Sequence, residues 1–550
     1  MKSMAGRMCV NARARSLAKC ASSCAAGFLG EPRAPGFSKT MVRRRAATSP
    51  ITARKMTAIQ SSRTSVPFGF LACDLPADMA CALLLGIRRR RQIYYRLRSS
   101  LDAIQKSRNR AIYLLRMFPR PRVLLCNVLC CFGSLPASAQ ATHYAVKLTP
   151  DLDRRVLRGE ERIEFTAGAG VTQWQKKEGL RVSEAKVSNG DVAVGEGSVR
   201  VRVASDGEHV LQFKYEAAAE QGLRWFAGPT PSPENPDQAG FFTAFYCDAW
   251  MVCDTSPAQR ATLRLEIVIP EQKRSPQNLR AVGPGKRGKE WRGKDGYHFV
   301  FQQTEPVQTY LFSFGVARID VADDESFSFY AADLKSQKGV FQKTADAFAF
   351  LRAKATVDLL DSGYAEAFLP VGHAGFGQEA AGMTLMSEEY VPELTEKDDV
   401  QLMTHELAHQ WWGVLVGIRS WSDFWLNEGF AEFMSDAYIE KHQGQAAYEN
   451  QIEELKGRMQ KLREAGKDRP LHWEQWKDAH EALGEIPYVK GALFLDRLRA
   501  DLGEEKFWRG IGLYTSRNAR KLVDSRDFQR AMEEASAQDL HQLFEEAVFH

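Results

Sequence analysis

The chain has 550 residues, an apolar fraction of 44%, 10% aromatic residues and a formal net charge of +6, enough for two or three domains with ordinary buried cores. The charge is unevenly spread: residues 1–116 carry 18 Arg and 5 Lys against 4 acids, a net +19, which leaves 51 basic and 64 acidic side chains, a net −13, on the rest. An acidic body repels phosphate, which excludes nucleic acid as its partner.

Residues 1–116 are rich in Arg, Ser and Ala, lack sustained periodicity and include the run Arg88–Arg91, so they read as disordered sequence or as residues ahead of the true start. The apolar stretch from Ala72 to Ile87 is interrupted by Asp74, Pro76 and Asp78 and is not a membrane span. From Met117 the text changes: Arg120 and Arg122, an apolar run from Val123 to about Leu135, then Ala137-Ser138-Ala139. This is the layout of a secretory signal peptide, residues 117–139, with cleavage before Gln140. Its apolar core is too short to cross a bilayer. Because a signal peptide works at the start of a chain, translation is expected to begin at Met117; a targeting extension or basic arm is the other reading of residues 1–116. The expected location is periplasmic or secreted, with no membrane span in the mature chain. Eight of the ten cysteines precede residue 140; Cys247 and Cys253, six apart, fit one small-loop disulfide and two separate buried thiols equally well.

Between His143 and about Val321, short runs such as Y-A-V-K-L, E-R-I-E-F, S-V-R-V-R-V, T-L-R-L-E-I-V-I and Y-H-F-V-F alternate with turn signals, the mark of half-buried strands in a β-sandwich or saddle. Beyond about Tyr330 the spacing becomes helical and β-branched runs become rare. The sequence therefore predicts an α+β multidomain chain, with a β domain at 140–330 and a mainly helical domain at 331–550. No repeat of 20–50 residues is present, which excludes solenoids and propellers.

The helical part holds the chemistry. Residues 398–413 read D-D-V-Q-L-M-T-H-E-L-A-H-Q-W-W-G, and Asp398 or Asp399 is expected to cap a helix running through His409 toward Gly413. His405 and His409, four apart, stack on one helix face and can reach a single zinc ion, while the carboxylate of Glu406 lies beside it. An H-E-x-x-H by itself arises by chance in about one or two chains per hundred of this size, so a third ligand is required. Glu428 supplies it, in the first turn of a second amphipathic helix marked by Phe430, Phe433, Met434, Ala437 and Tyr438. Two imidazoles and one carboxylate leave a coordination position for water, the arrangement of a catalytic site. The other histidines, including His373, His442 and His472, read as non-ligands.

These stretches, H-E-L-A-H-Q-W-W-G and W-L-N-E-G-F-A-E-F, with T-E-P-V-Q-T-Y-L-F-S-F at 304–314, P-Y-V-K-G-A at 487–492 and the closing V-D-S-R-D-F-Q-R-A-M-E-E-A-S-A-Q-D-L-H-Q-L-F, resemble the gluzincin aminopeptidases, the family of the alanyl aminopeptidases and leukotriene hydrolase. The resemblance implies a β-saddle domain followed by a thermolysin-like zinc catalytic domain, one Zn2+ ion, and peptide substrates. It makes Glu406 the general base and Tyr488, 60 residues after Glu428, the donor to the developing oxyanion. It also implies that Glu379 binds the substrate's free amino group. Two elements depart from the family pattern. Where G-A-M-E-N is usual this chain has F-G-Q-E-A at 376–380, keeping only Glu379, and where T-Q-F-E is usual it has Thr243-Ala244-Phe245-Tyr246; Asp248 is a candidate substitute anchor. The expected function is a zinc aminopeptidase. An endopeptidase and an epoxide hydrolase of the leukotriene-hydrolase kind are the alternatives on the same zinc site. A non-catalytic peptide-binding protein is the third, and the complete set of His405, Glu406, His409, Glu428 and Tyr488 argues against it.

Overall fold

The structure is a computed structural model and describes residues 139–550 except 219–221, 227–239, 272–278, 325–326, 335–337, 360–362, 373–374 and 477. Residues 1–116, the expected signal peptide apart from Ala139, and His373 lie outside the described residues.

Alternation in the sequence becomes strand. Along Gln140–Asp151 the side chains of Tyr144, Val146 and Leu148 are buried, and Ile163 with Phe165, or Leu263 with Leu265 and Ile267, repeat the pattern on their own strands, one apolar face at a period of two. They belong to a seven-stranded sheet, in the order Lys286–Arg292, Tyr297–Gln308, Arg260–Ile269, Gln140–Asp151, Val156–Ala167, Gly207–Ala218, Leu180–Val187. Its pairings are antiparallel except for Gln140–Asp151, which runs parallel to Arg260–Ile269 with His143 opposite Thr262. A three-stranded sheet and a four-stranded sheet complete this β-rich part. Cys247 and Cys253 are joined in a disulfide, so of the two readings open to the sequence the bridge is the one formed.

A five-stranded sheet follows, in the order Asp320–Asp324, Phe327–Ala331, Tyr364–Leu369, Met383–Ser387, Gly377–Ala380. It straddles the point near residue 330 where the texture of the sequence changes. Helices then dominate, chiefly Lys338–Ala355, Gln401–Ala408, Trp425–Gln443, Gln445–Glu464, Gly491–Leu502, Glu504–Asn518 and Ser525–Ser536. None of the described helices is long and apolar enough to cross a membrane.

Sheet and helices are locked by buried polar contacts set in apolar packing. The Thr344 hydroxyl, on the helix Lys338–Ala355, donates to Glu366 Oε2 at 2.7 Å and lies 3.3 Å from Met403 Sδ on the helix Gln401–Ala408. Burial pushes the Glu366 carboxyl up to about 8, so at neutral pH it is held as the uncharged acid, the form that costs least in a dry environment. The indole N–H groups of Trp411, Trp412 and Trp425 reach Val357 O, Thr515 Oγ1 and Ser525 Oγ at 2.8, 3.0 and 2.9 Å, which lets large rings be buried without an orphaned donor.

Just ahead of the helix Trp425–Gln443, the buried Asp423 Oδ1 accepts from Ser525 Oγ at 2.6 Å, Ser525 N at 3.2 Å and His472 Nδ1 at 2.8 Å. This one carboxylate ties three distant segments together. The hydrogen bond to Asp423 raises the pKa of His472 above its ordinary value, against the pull of burial. A histidine raised on folding stabilises fully below its unfolded pKa of about 6.5, and the contribution is lost as pH climbs through the folded value. His472→Gln is therefore expected to cost about 1 kcal/mol at pH 6, allowing for solvent screening of a partly exposed group, and clearly less at pH 9. Urea denaturation at the two pH values checks this, and an equal loss at both rejects it.

Candidate active site

The first ligand helix is shorter than the sequence suggests. It spans Gln401–Ala408, with His409 closing it and Val400, which makes no side-chain cap, at its start. Neither aspartate is the cap residue: Asp399 Oδ1 accepts from Gln401 N at 3.2 Å from one position further out, and Asp398, at φ +57°, is drawn to Lys343 and His442. The helix does not continue toward Gly413, which itself takes φ +145°, a conformation open to a residue without Cβ. Bonds from Val414, Leu415 and Val416 N to His409, Gln410 and Trp411 O, at 2.9, 3.2 and 3.0 Å, turn the chain into the short strand Val416–Ile418.

Glu428 lies in the first turn of the helix Trp425–Gln443 and is buried together with His405 and His409. His405 Nε2 and His409 Nε2 are 3.2 Å apart, and Glu428 Oε2 is 3.5 and 3.4 Å from them. A tetrahedral ion with ligands at about 2.0–2.1 Å sets its donors about 3.3–3.4 Å apart, so this triangle has the size one zinc ion requires. The outer ring nitrogens agree. His405 Nδ1 is 3.1 Å from Glu432 Oε2 and His409 Nδ1 is 3.3 Å from Trp412 O. Both partners are acceptors, which places the N–H on Nδ1 and turns both Nε2 lone pairs toward the same point as the Glu428 carboxylate. Two neutral imidazoles and a carboxylate converging in this way form a ligand set for one divalent cation.

The ionisable groups at the centre act strongly on one another. Burial works against ionisation of Glu428, yet His409 and His405 hold it at about 2. Burial pushes the Glu406 carboxyl up, against the pull of the two histidines. The histidines respond in turn: burial draws each pKa down, but the carboxylates outweigh it and raise His409 to about 9 and His405 well above its ordinary value. Glu379 Oε1, Glu406 Oε2 and Glu428 Oε1 are each buried without a hydrogen-bond partner, as donor atoms awaiting a cation or substrate would be. Among the described residues, the two groups of His, Cys, Asp or Glu close enough to hold one ion are His405, His409, Glu428 and Glu379, Glu406, His409, which share this centre.

Glu379 is thus brought alongside the metal ligands. It sits on the edge strand Gly377–Ala380 and is 4% exposed. Gln410, the residue after His409, fixes that strand: its amide donates to Ala380 O at 3.0 Å and accepts from Gly382 N at 3.1 Å. Burial pushes Glu379 up to about 8; His409 pulls it down, and Glu428 and Glu406 add to the rise. Tyr488, in a wide helical turn at Ile486–Lys490, stacks on His405 with ring centroids 5.8 Å apart and planes 8° apart. The segment Thr243-Ala244-Phe245-Tyr246 is buried, with Phe245 at φ +54° and its ring parallel to that of Tyr310. Asp248 faces Lys177, 3.7 Å away, so its charge is already partly met.

Residues 378–546 match the Peptidase family M1 domain, and the resemblance to the gluzincin aminopeptidases is borne out. Probable aminopeptidase 1 of Sulfurisphaera tokodaii is 23% identical over 72% of this chain and 52% of its own length, and the leucyl aminopeptidase of Saccharolobus solfataricus is 23% identical over 70% of this chain and 50% of its own. The chain spans about half the length of these curated relatives. The fold is shared with yeast LTA4 hydrolase (TM-score 0.64, 19% identity, 75% of this chain and 68% of that one). It is also shared with a mutant M1 zinc metallopeptidase of Deinococcus radiodurans bound to a Tyr-Ser-Ala substrate (TM-score 0.61, 21% identity, 74% of this chain and 94% of that one).

Sequence reasoning passed over three contributors. Glu432, one turn beyond Glu428, orients His405; its place four residues on, within W-L-N-E-G-F-A-E-F, was a legible signal. Tyr310, inside the T-E-P-V-Q-T-Y stretch, is buried with its hydroxyl accepting from Asn427 Nδ2 at 2.9 Å. Gly377 leaves room for Glu406, since a Cβ there would lie 2.2 Å from Glu406 Oε1. Glu432 is itself lowered in pKa: burial opposes ionisation, but His405 and Arg458 outweigh it. Replacing an outer carboxylate that holds a ligating histidine costs roughly 10–100-fold in metal affinity. Glu432→Gln is expected to weaken zinc binding by that factor in competition with a chromogenic chelator, and unchanged affinity rejects the assignment.

Proposed function

We propose, from the peptidase family M1 domain that residues 378–546 carry, that this protein is a zinc-dependent aminopeptidase that removes N-terminal residues from peptides. The observation that carries the reading is the juxtaposition of His405, His409 and Glu428 with the buried carboxylates of Glu406 and Glu379, both within 4.8 Å of a His409 nitrogen. His405, His409 and Glu428 would hold the ion. What zinc supplies when bound is Lewis acidity, toward a scissile carbonyl and toward a water. Glu406, raised in pKa by burial, takes the proton from the attacking water and delivers it to the leaving amine. The Tyr488 hydroxyl donates to the carbonyl oxygen as it gains charge, an interaction stronger in the transition state than in the ground state. Glu379 receives the substrate's ammonium group, which brings positive charge into a pocket crowded with carboxylates and sets which peptide bond faces Glu406.

The β-rich part, 140–330, is read as a saddle domain, and 331–550 as a thermolysin-like catalytic domain. The protein is placed in the periplasm or outside the cell, a reading supported by the Cys247–Cys253 disulfide, since such bridges persist in oxidising compartments.

Two measurements test the function together. Glu406→Gln and Tyr488→Phe are each expected to lower kcat at least a hundredfold while zinc content stays at one ion per chain; near-normal turnover in either removes that residue from the mechanism. A peptide with a free amino terminus is expected to be cleaved, and its N-acetylated twin spared. Equal cleavage of both transfers the site to an endopeptidase.

A further inference from the structure

Two glycines meet beside the centre. Gly429 follows the third ligand, Glu428, on the helix Trp425–Gln443, and Gly491 opens the helix Gly491–Leu502, three residues after Tyr488. Neither has a positive φ, so neither is needed for backbone conformation. Both are buried, and a Cβ built on Gly429 would lie 2.8 Å from Gly491 Cα and 3.0 Å from Pro487 O, while one built on Gly491 would lie 2.7 Å from Gly429 Cα. These neighbours are backbone atoms, which cannot swing aside as the end of a side chain can. Glycine inside a helix costs about 1 kcal/mol relative to alanine, and here that cost is met at two facing positions.

The contact joins the element that holds a metal ligand to the element that holds the oxyanion donor. Pro487, whose carbonyl sits against Gly429, immediately precedes Tyr488. The turn Ile486–Lys490 is π-helical, a wide form that recurs at functional sites, and Lys490 pins its far end through Asp468 Oδ1 at 2.9 Å and Arg469 O at 2.6 Å. With that end held, the two helices meet at Gly429 and Gly491 on the near side of Tyr488, whose ring stacks on His405. We propose that Gly491 and Gly429 are positioning residues: their backbone-to-backbone contact sets the distance from Tyr488 to the metal centre, and with it the strength of the transition-state hydrogen bond. The inference rests on the aminopeptidase reading and deepens it.

The test is kinetic coupling in the full zinc enzyme. Gly491→Ala and Gly429→Ala are made in both the Tyr488 and the Tyr488→Phe backgrounds, with Gly457→Ala, where a Cβ meets nothing within 4 Å, as a helical control. In the Tyr488 background kcat is expected to fall at least tenfold, toward the roughly hundredfold that a 1 Å misplacement costs. KM should move by less than about twofold and zinc content should hold, the signature of an interaction made only in the transition state. In the Tyr488→Phe background the same substitutions should change kcat by less than about twofold, because the group they displace is gone. Equal losses in both backgrounds, a change confined to KM, loss of zinc, or unchanged kcat each overturns the proposal. So does loss of the fold, by circular dichroism, in both alanine variants, since the contact would then serve folding and not Tyr488. If the parent enzyme shows no chelator-sensitive peptide cleavage, the aminopeptidase reading fails instead, and that outcome is seen before any glycine variant is made.

Discussion

Two imidazole lone pairs and a carboxylate oxygen are turned inward on one point in the dry interior, with Glu406, Glu379 and Glu432 close by. Burying that much negative charge without compensation costs several kcal/mol per group. A divalent cation at the convergence would offset that cost, displacing protons from the two imidazoles and meeting three donor atoms at once. The structure around the centre can be understood as the means of holding those donors still while the ion and a substrate come to them.

That support comes from several parts of the chain. The Gln410 amide binds the strand of Glu379 to the end of the His405 helix. Glu432 and Trp412 O fix the ring orientations of His405 and His409. Asp423 collects the segments that lead into the Glu428 helix, and the glycine pair brings Tyr488 alongside. Apart from the local bond between His409 and Trp412 O, these contacts cross between elements far apart in sequence, so the geometry of the site is a property of the assembled sheet and helices.

Substrate recognition is where this chain differs from the family pattern. Glu379 is retained and deeply placed, but the companion segment presents Thr243-Ala244-Phe245-Tyr246, an aromatic surface packed on Tyr310, in place of polar side chains. In the proposed aminopeptidase, recognition of an ammonium group would fall on Glu379, since Asp248 already faces Lys177.

The sequence by itself determined the local spacing: 3.6 residues per turn puts His405 and His409 on one helix face, Glu428 falls in the first turn of a second amphipathic helix, and strict alternation made the β-rich part legible before the helical one. Even Glu432 could have been read from its four-residue offset. Where helices stop was not, since the His405 helix ends at Ala408, well short of Gly413, and Asp398 is taken by Lys343 and His442 instead of capping it. Only the tertiary structure decided that Cys247 and Cys253 pair, that Glu379 is buried on a strand beside the ligands, and that two helices touch at Gly429 and Gly491. Local spacing is dictated by backbone geometry and can be read along the chain, whereas burial and close approach depend on which distant segments pack together.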